Sequence, residues 1–347
     1  MQLYRARQIL SANYDDPVVT IDSHTGGECT RLIVDGIGDV PGATMGAKRE
    51  YFREHLDHVR ALLCREPRGH RDLLACAVTD PVTPGAQFGL VYMDAKRYPF
   101  LCGHATIGAV TTLVELGLAT PHMDAEGGEH VTVDTPSGPM YTTLTRGEGG
   151  AVDGVSFLSV PAFVHGMDLD LHIPGLGDIK ADTVCVGGFF VMVEAAQAGI
   201  DMYPGTAPAA IDLGMRIIEE ANTQLIVGHP ERPEVRTIDV VEFHVLDAPH
   251  AGRSFVIYGE SHVDRSACGT GTTAKTTLLH RKGLLETGET YVNTGPLGTS
   301  FSGRVVRETN VGEFPAVQVE VTGSACITGV HEFHIDPRDP LPTGFLL

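Results

Sequence analysis

Along most of the chain apolar positions recur in short runs, closed off by Gly, Pro or Asp and rich in β-branched residues, a pattern that predicts strands rather than long helices. Such runs occupy residues 18–22, 30–34, 88–93, 131–133 and 155–160 in the first half. In the second half they occupy 184–193, 238–245, 254–258, 317–321 and 329–335. Helical periodicity is confined to a few segments. Residues 48–63 place Tyr51, Leu56, Val59 and Leu63 on one face, and residues 208–224 do the same with Ile211, Leu213, Ile217 and Ile218.

Two further helical segments repeat one another. The first runs Cys102-Gly103-His104-Ala105-Thr106 and continues to Thr111, Leu113 and Gly117. The second runs Cys268-Gly269-Thr270-Gly271-Thr272 and continues to Thr277, Leu279 and Gly283. Cys, Gly, Thr, Thr, Leu and Gly recur at equal offsets, 166 residues apart in a chain of 347. The terminal glycines read as helix stops, and the small residues and threonines on several sides suit helices enclosed by sheet. The expectation is a mixed α/β (α+β) fold of two similar domains, each wrapping strands around one central helix. The halves are set at 1–160 and 161–347, with the last strand free to return to the first domain.

A cysteine at each helix start has chemical meaning. The first turn of a helix leaves N–H groups unpaired and carries a partial positive charge. A thiolate is stabilised there, so its pKa can fall toward neutrality, and a carboxylate can be held by the same N–H groups. Gly103 and Gly269 let a ligand approach the backbone. Two such starts, one from each half, place a thiol on either face of a substrate. One thiolate would remove an α-proton and the opposite thiol would return one, inverting the carbon. Such chemistry needs no cofactor and no metal.

Composition narrows the alternatives. Acidic residues number 44 against 25 basic, a formal charge of −19, which disfavours nucleic acid as a partner. The 41 glycines and 21 prolines agree with many turns. Seven cysteines, an odd number without a Cys-x-x-Cys pair, suggest neither a disulfide framework nor a zinc ribbon. No stretch has signal-peptide or membrane-span character, and a cytoplasmic location is expected. The five lysines include no evident pyridoxal phosphate anchor, and Gly269-Thr270-Gly271 lacks the spacing of a nucleotide loop.

Five stretches together resemble the proline racemase family over nearly the whole chain. They are Asp22-Ser23-His24-Thr25-Gly26-Gly27-Glu28, Glu66-Pro67-Arg68-Gly69-His70, Cys102-Gly103-His104, the segment from Asp264 to Thr272, and Asp339-Pro340-Leu341 with Gly344-Phe345. The resemblance implies the diaminopimelate-epimerase type of fold, two pseudo-symmetric domains with strand barrels around central helices. It implies cofactor-independent inversion of proline or 4-hydroxyproline, with a small amino acid as partner and a homodimer allowed. Cys102 and Cys268 would be the acid/base thiols. The amides of Gly103, His104, Gly269 and Thr270 would hold the carboxylate, and Asp264 the ring ammonium, with the His104 side chain close by. Ala267 stands where the family usually has Pro, and Ala105 where it has Gly or Ser. Val186-Gly187-Gly188-Phe189-Phe190 occupies the segment that lines the ring pocket in the family. Cys102-Gly103-His104-Ala105, residues 55–60 and Pro136-Ser137-Gly138-Pro139 also look like the trans-3-hydroxyproline dehydratase branch. That branch typically carries Thr at the second cysteine's place, so Cys268 favours two-base inversion. A non-catalytic small-molecule binding protein of the same fold is a further alternative.

Plainer roles stand beside these. Cys29, Cys64, Cys76, Cys185 and Cys326 read as packing residues. Asp264 suits a helix cap or a turn as well as a ligand, and His104 suits a local hydrogen bond. His24 and His70 flank glycine turns, while His331 and His334 lie three apart on a strand and face opposite ways. Arg68 reads as an ion-pair partner.

Overall fold

The computed structural model describes residues 2–14, 17–259 and 261–347. They form two compact units. The first takes the chain up to Thr25, with Cys29–Val155 and Ser324–Leu347; the second takes Gly26–Glu28 with Ser156–Gly323. Each is a mixed α/β unit built on one buried helix.

In the first unit the C-terminal strand Ala325–Phe333 lies antiparallel to Val18–Thr25, from Val18 opposite Phe333 to Thr25 opposite Ala325. Glu28–Asp35 runs parallel to Leu74–Thr79, which pairs antiparallel with Phe88–Met93. Phe88–Met93 runs parallel to Glu129–Thr135, and that strand forms a hairpin with Gly138–Arg146. The first central helix, Gly103–Glu115, is buried at every residue from His104 to Val114. Strands Val18–Thr25 and Ala325–Phe333 pack on it. A separate apolar core joins Ile33, Phe52, Leu63, Val91 and Met93.

The long helix expected at 48–63 is two helices, Met45–His55 and Asp57–Cys64, broken at Leu56 (φ −120°, ψ 15°). Asp57 restarts the ladder in its first turn and takes Arg60 Nε at 2.7 Å and Nη2 at 3.0 Å. The Arg60 guanidinium holds the Asp57 carboxyl below the usual range. The helix Gln2–Asn13 has no counterpart in the sequence reading; it is largely exposed and so shows no apolar stripe.

In the second unit Ala162–Ile173 and Gly177–Val186 form an antiparallel pair, followed by Gly188–Glu194. The single strand expected over 184–193 is therefore a tight hairpin, turned at Gly187 with φ 72°, a conformation open to glycine. Gly188–Glu194 runs parallel to Ile238–Ala248, which pairs with Ala251–Tyr258. From there the order passes through Thr290–Thr294, Ser300–Val311 and Phe314–Gly323. Phe314–Gly323 pairs back onto Ala162–Ile173, Ala316 opposite Phe163, and closes the sheet into a barrel.

The second central helix, Gly269–Arg281, fills that barrel and is buried at nearly every position. Its threonines are tolerated there because their hydroxyls bond back along the helix: Thr273 to Gly269 O, Thr276 to Thr272 O and Thr277 to Thr273 O, at 2.7–2.9 Å. Helix Ala207–Gln224 covers the outside with Ala210, Leu213, Gly214, Ile217 and Ala221. Strand alternation sorts Ile238–Ala248 accordingly: Val241 and Phe243 join the outer apolar core with that helix, leaving Glu242 and His244 for the helix inside.

Candidate active site

Cys102 caps the first central helix with extended backbone (φ −148°, ψ 113°). Its carbonyl accepts Thr106 N–H at 3.0 Å and the Thr106 hydroxyl at 2.8 Å, closing the first turn. The sulfur makes no capping bond and lies 3.2 Å from His104 Nδ1. The local contact weighed for His104 is thus present. The Cys102 thiol is half-buried. Thr106 continues to the phenol of Tyr92 at 2.7 Å, behind the turn. Thr25 fixes the same turn by donating to His104 O at 2.8 Å.

Cys268 caps the second central helix differently. Its backbone is left-handed in φ (56°, with ψ 119°), and its sulfur accepts the Gly271 N–H at 3.3 Å. The thiol also meets Thr270 Oγ1 at 3.4 Å and is 7% exposed. Sequence reasoning expects a helix start to pull such a thiol down; here the balance goes the other way. Burial, then the Asp264 carboxylate, push the Cys268 thiol well up, and the Thr270 hydroxyl and Gly271 amide only partly oppose them. The two equivalent cysteines therefore sit in unlike surroundings.

Asp264 is buried and acts in the turn before the helix. Its Oδ1 accepts both the N–H and the hydroxyl of Ser266, at 2.8 and 2.7 Å. Ser266 Oγ in turn accepts the Cys268 N–H at 3.0 Å. That oxygen closes a turn ahead of the helix and does not cap it, since the N-cap is Cys268. The first-turn N–H groups after each cysteine, at Gly103 and His104 and at Gly269 and Thr270, lie ahead of the helical ladder and suit an anion.

Behind Cys268 lies a polar cluster that motif reading missed. Glu242 is fully buried, and Gly271 leaves room for it: a Cβ on Gly271 would stand 3.0 Å from Glu242 Oε2 and 2.8 Å from Val256 Cγ2. Lys275, one turn further on, reaches His244 Nδ1 at 2.8 Å. An ammonium only donates, so His244 accepts at Nδ1 and carries its proton on Nε2. Burial raises Glu242 to about 8 and lowers Lys275 to about 8, each offset in part by the other's charge. Beside them Asn293 Nδ2 shares its two hydrogens among Ser254 Oγ, Ala267 O and Thr272 Oγ1, at 2.8–3.2 Å. The available signal was an alternation of Glu242 and His244 with large apolar residues, which places both inside the barrel.

The remaining candidates take structural places. Arg68 pairs with Asp339 at 2.6 Å. His70 Nε2 stands 3.8 Å from the Cys29 sulfur, and His331 lies 3.4 Å from Asp22. All seven cysteines are free. Among the described residues no group of three His, Cys, Asp or Glu is placed to hold a metal, and no helix is long and apolar enough to cross a membrane.

Comparison with known proteins places these features in context. A family described as Proline racemase matches residues 20–346. Proline racemase of Clostridioides difficile is 41% identical over 338 residues, covering 95% of this chain and 98% of that protein. Trans-3-hydroxy-L-proline dehydratase of Burkholderia cenocepacia is 36% identical over 94% of this chain and 97% of its own. Among solved structures, a hydroxyproline epimerase of Agrobacterium vitis with bound trans-4-hydroxy-L-proline superposes with a TM-score of 0.82 at 26% identity, over 96% of both chains.

Proposed function

Because this chain belongs to the proline racemase family, we propose that it inverts the α-carbon of proline or 4-hydroxyproline with Cys102 and Cys268 as the two proton-carrying groups. The observation that carries the reading is the repeated arrangement: in each unit a cysteine caps the buried central helix and a glycine follows it.

In this mechanism the substrate carboxylate is held by the amides of Gly103, His104, Gly269 and Thr270. Their dipoles also stabilise the charge that spreads into the carboxylate as the α-proton leaves. One cysteine removes that proton as thiolate while the other delivers its own to the opposite face. With its thiol pushed up by burial and Asp264, Cys268 begins as the proton donor. The Asp264 oxygen not engaged by Ser266 receives the ring ammonium. Pairing with that cation weakens the carboxylate's hold on the Cys268 proton, which eases its transfer. Free thiols of this kind suit a reducing cytoplasm.

Cys268 also weighs against the dehydratase reading, since elimination needs a base on one face alone. Proton NMR in D2O tests the assignment with L-proline, trans-4-hydroxy-L-proline and trans-3-hydroxy-L-proline in separate tubes. Loss of the α-proton signal with the ring retained, and a new epimer from 4-hydroxyproline, is the expected result. Conversion of the 3-hydroxy compound to a dehydrated product moves the assignment to the lyase. No exchange with any of the three removes the proline-type reading.

A further inference from the structure

We infer that Glu28 is a positioning residue for the turn that presents Cys268, an inference that rests on Cys268 being one of the two reacting thiols. Four backbone donors of that turn can be followed. Asp264 N–H goes to Val256 O at 3.0 Å, Ser266 N–H to Asp264 Oδ1, and Cys268 N–H to Ser266 Oγ. Arg265 N–H goes elsewhere: it donates to Glu28 Oε2 at 2.7 Å, across 237 positions of sequence.

Glu28 is 1% exposed, so its carboxylate meets the turn in a dry setting, where a charge-assisted bond from a backbone N–H is strong. Its other oxygen lies 3.5 Å from His262 Nε2, and the His262 ring packs on Tyr258 with centroids 4.5 Å apart. The approach of Glu28 depends on the two residues before it. Gly26 and Gly27 have φ of 59° and 101°. A Cβ on Gly26 would stand 3.2 Å from Ser266 Cβ, and one on Gly27 would stand 2.6 Å from Leu297 Cδ1. Thr299 Oγ1 fastens this segment by donating to Gly26 O at 2.5 Å. Elsewhere along the same turn Gly295 is so close that a Cβ would meet Ser266 O at 2.3 Å.

The turn from Asp264 to Cys268 is thus packed by Gly295 and bonded by Glu28, and it ends in a cysteine at φ 56°. A non-glycine residue keeps such a conformation only where its surroundings over-determine it. Among the backbone donors followed above, Arg265 N–H is the one that reaches a residue outside the second half of the chain, Glu28. Release of that bond lets the turn relax, moving the Cys268 sulfur off the Gly271 N–H and the Asp264 carboxylate out of place.

The variants Glu28→Ala, Glu28→Gln and Glu28→Asp test this in the full chain. Two readouts are used: kcat and KM for inversion, and the rate at which iodoacetamide labels Cys268, followed by peptide mass spectrometry. Glu28→Ala is expected to lower kcat about tenfold and to label Cys268 about tenfold faster, the factor that corresponds to one lost hydrogen bond to a charged group. Glu28→Gln keeps an acceptor oxygen at the same reach and is expected to stay within about threefold of wild type. Glu28→Asp is one methylene too short and follows Glu28→Ala, which decides the matter if the alanine variant does not fold. Wild-type kcat and labelling in folded Glu28→Ala and Glu28→Asp overturn the inference, as does an equal loss in all three. The labelling readout does not depend on substrate, so it separates failure of this inference from failure of the proline-type assignment.

Discussion

His104 Nδ1 lies 3.2 Å from the Cys102 sulfur, within the first turn of the helix that Cys102 caps. Cys268 has no such neighbour at the matching position, where Thr270 stands. His104→Ala is therefore expected to slow alkylation of Cys102 and lower kcat, each by about tenfold, the scale of one charge-assisted hydrogen bond. Labelling of Cys268 measured in the same sample is expected to stay at the wild-type rate. Equal rates for Cys102 in variant and wild type would remove the imidazole from the reaction.

Replacing either sulfur separates inversion from elimination. Cys102→Ser and Cys268→Ser are each expected to lower inversion by about 10²–10⁴, the usual contribution of a positioned acid or base. Chiral chromatography of the product pool reads this directly. Retention of turnover in Cys268→Ser, with a keto product, would show that a single base suffices.

Gly271 admits no side chain. An added Cβ would press on Val256, Glu242 and Cys268 at 2.8–3.1 Å, and the helix start would have to move. Gly271→Ala is expected to cost about 1–3 kcal/mol of stability by overpacking and to depress kcat through the displaced Cys268 thiol. Denaturant melts and kcat measured together check this; an unchanged midpoint would mean that the barrel yields there.

The buried Glu242–Lys275 pair predicts an uneven dependence of stability on pH. Glu242 is raised from 4.5 to about 8, so the folded state binds the extra proton between those values and stability falls as pH rises through them. Lys275 is lowered from 10.5 to about 8, so the unfolded state binds the extra proton above 8 and stability rises from there to 10.5. Each group acts with a slope of at most about 1.4 kcal/mol per pH unit. The pair thus gives a minimum near pH 8. His244 faces the same pair in its neutral form, held well below its ordinary value by burial and by Lys275. His244 adds a rise of its own up to 6.5, so the window from about pH 6.5 to 8 is the one in which urea titrations are expected to show a flatter curve for Glu242→Gln than for wild type. Parallel curves would place the pH dependence elsewhere.

Much of the architecture was legible because two kinds of signal were local. Strand runs such as Phe88–Met93 and the amphipathic helix Ala207–Gln224 follow from residue pattern alone. The two central helices were visible through their repeat and their closing glycines, Gly117 and Gly283, both of positive φ. Gly187 was misread within a continuous apolar run, since one glycine in such a run marks a close approach as readily as a reversal. Leu56 looked helical because it extends the apolar stripe, yet Asp57 starts a new ladder with Arg60. Glu28, Glu242 and Lys275 were opaque for another reason. Their partners lie far off in sequence, and a buried charge resembles a surface charge until the fold brings its neighbours. The expected fall in thiol pKa failed at Cys268 on the same account, as burial and Asp264 outweighed the helix start.

The left-handed φ of Cys268 carries a cost for any side chain placed there. Glycine would adopt the turn without strain. With glycine there the strain would go and the path of the turn would remain, so the backbone itself has no need of a side chain at that position.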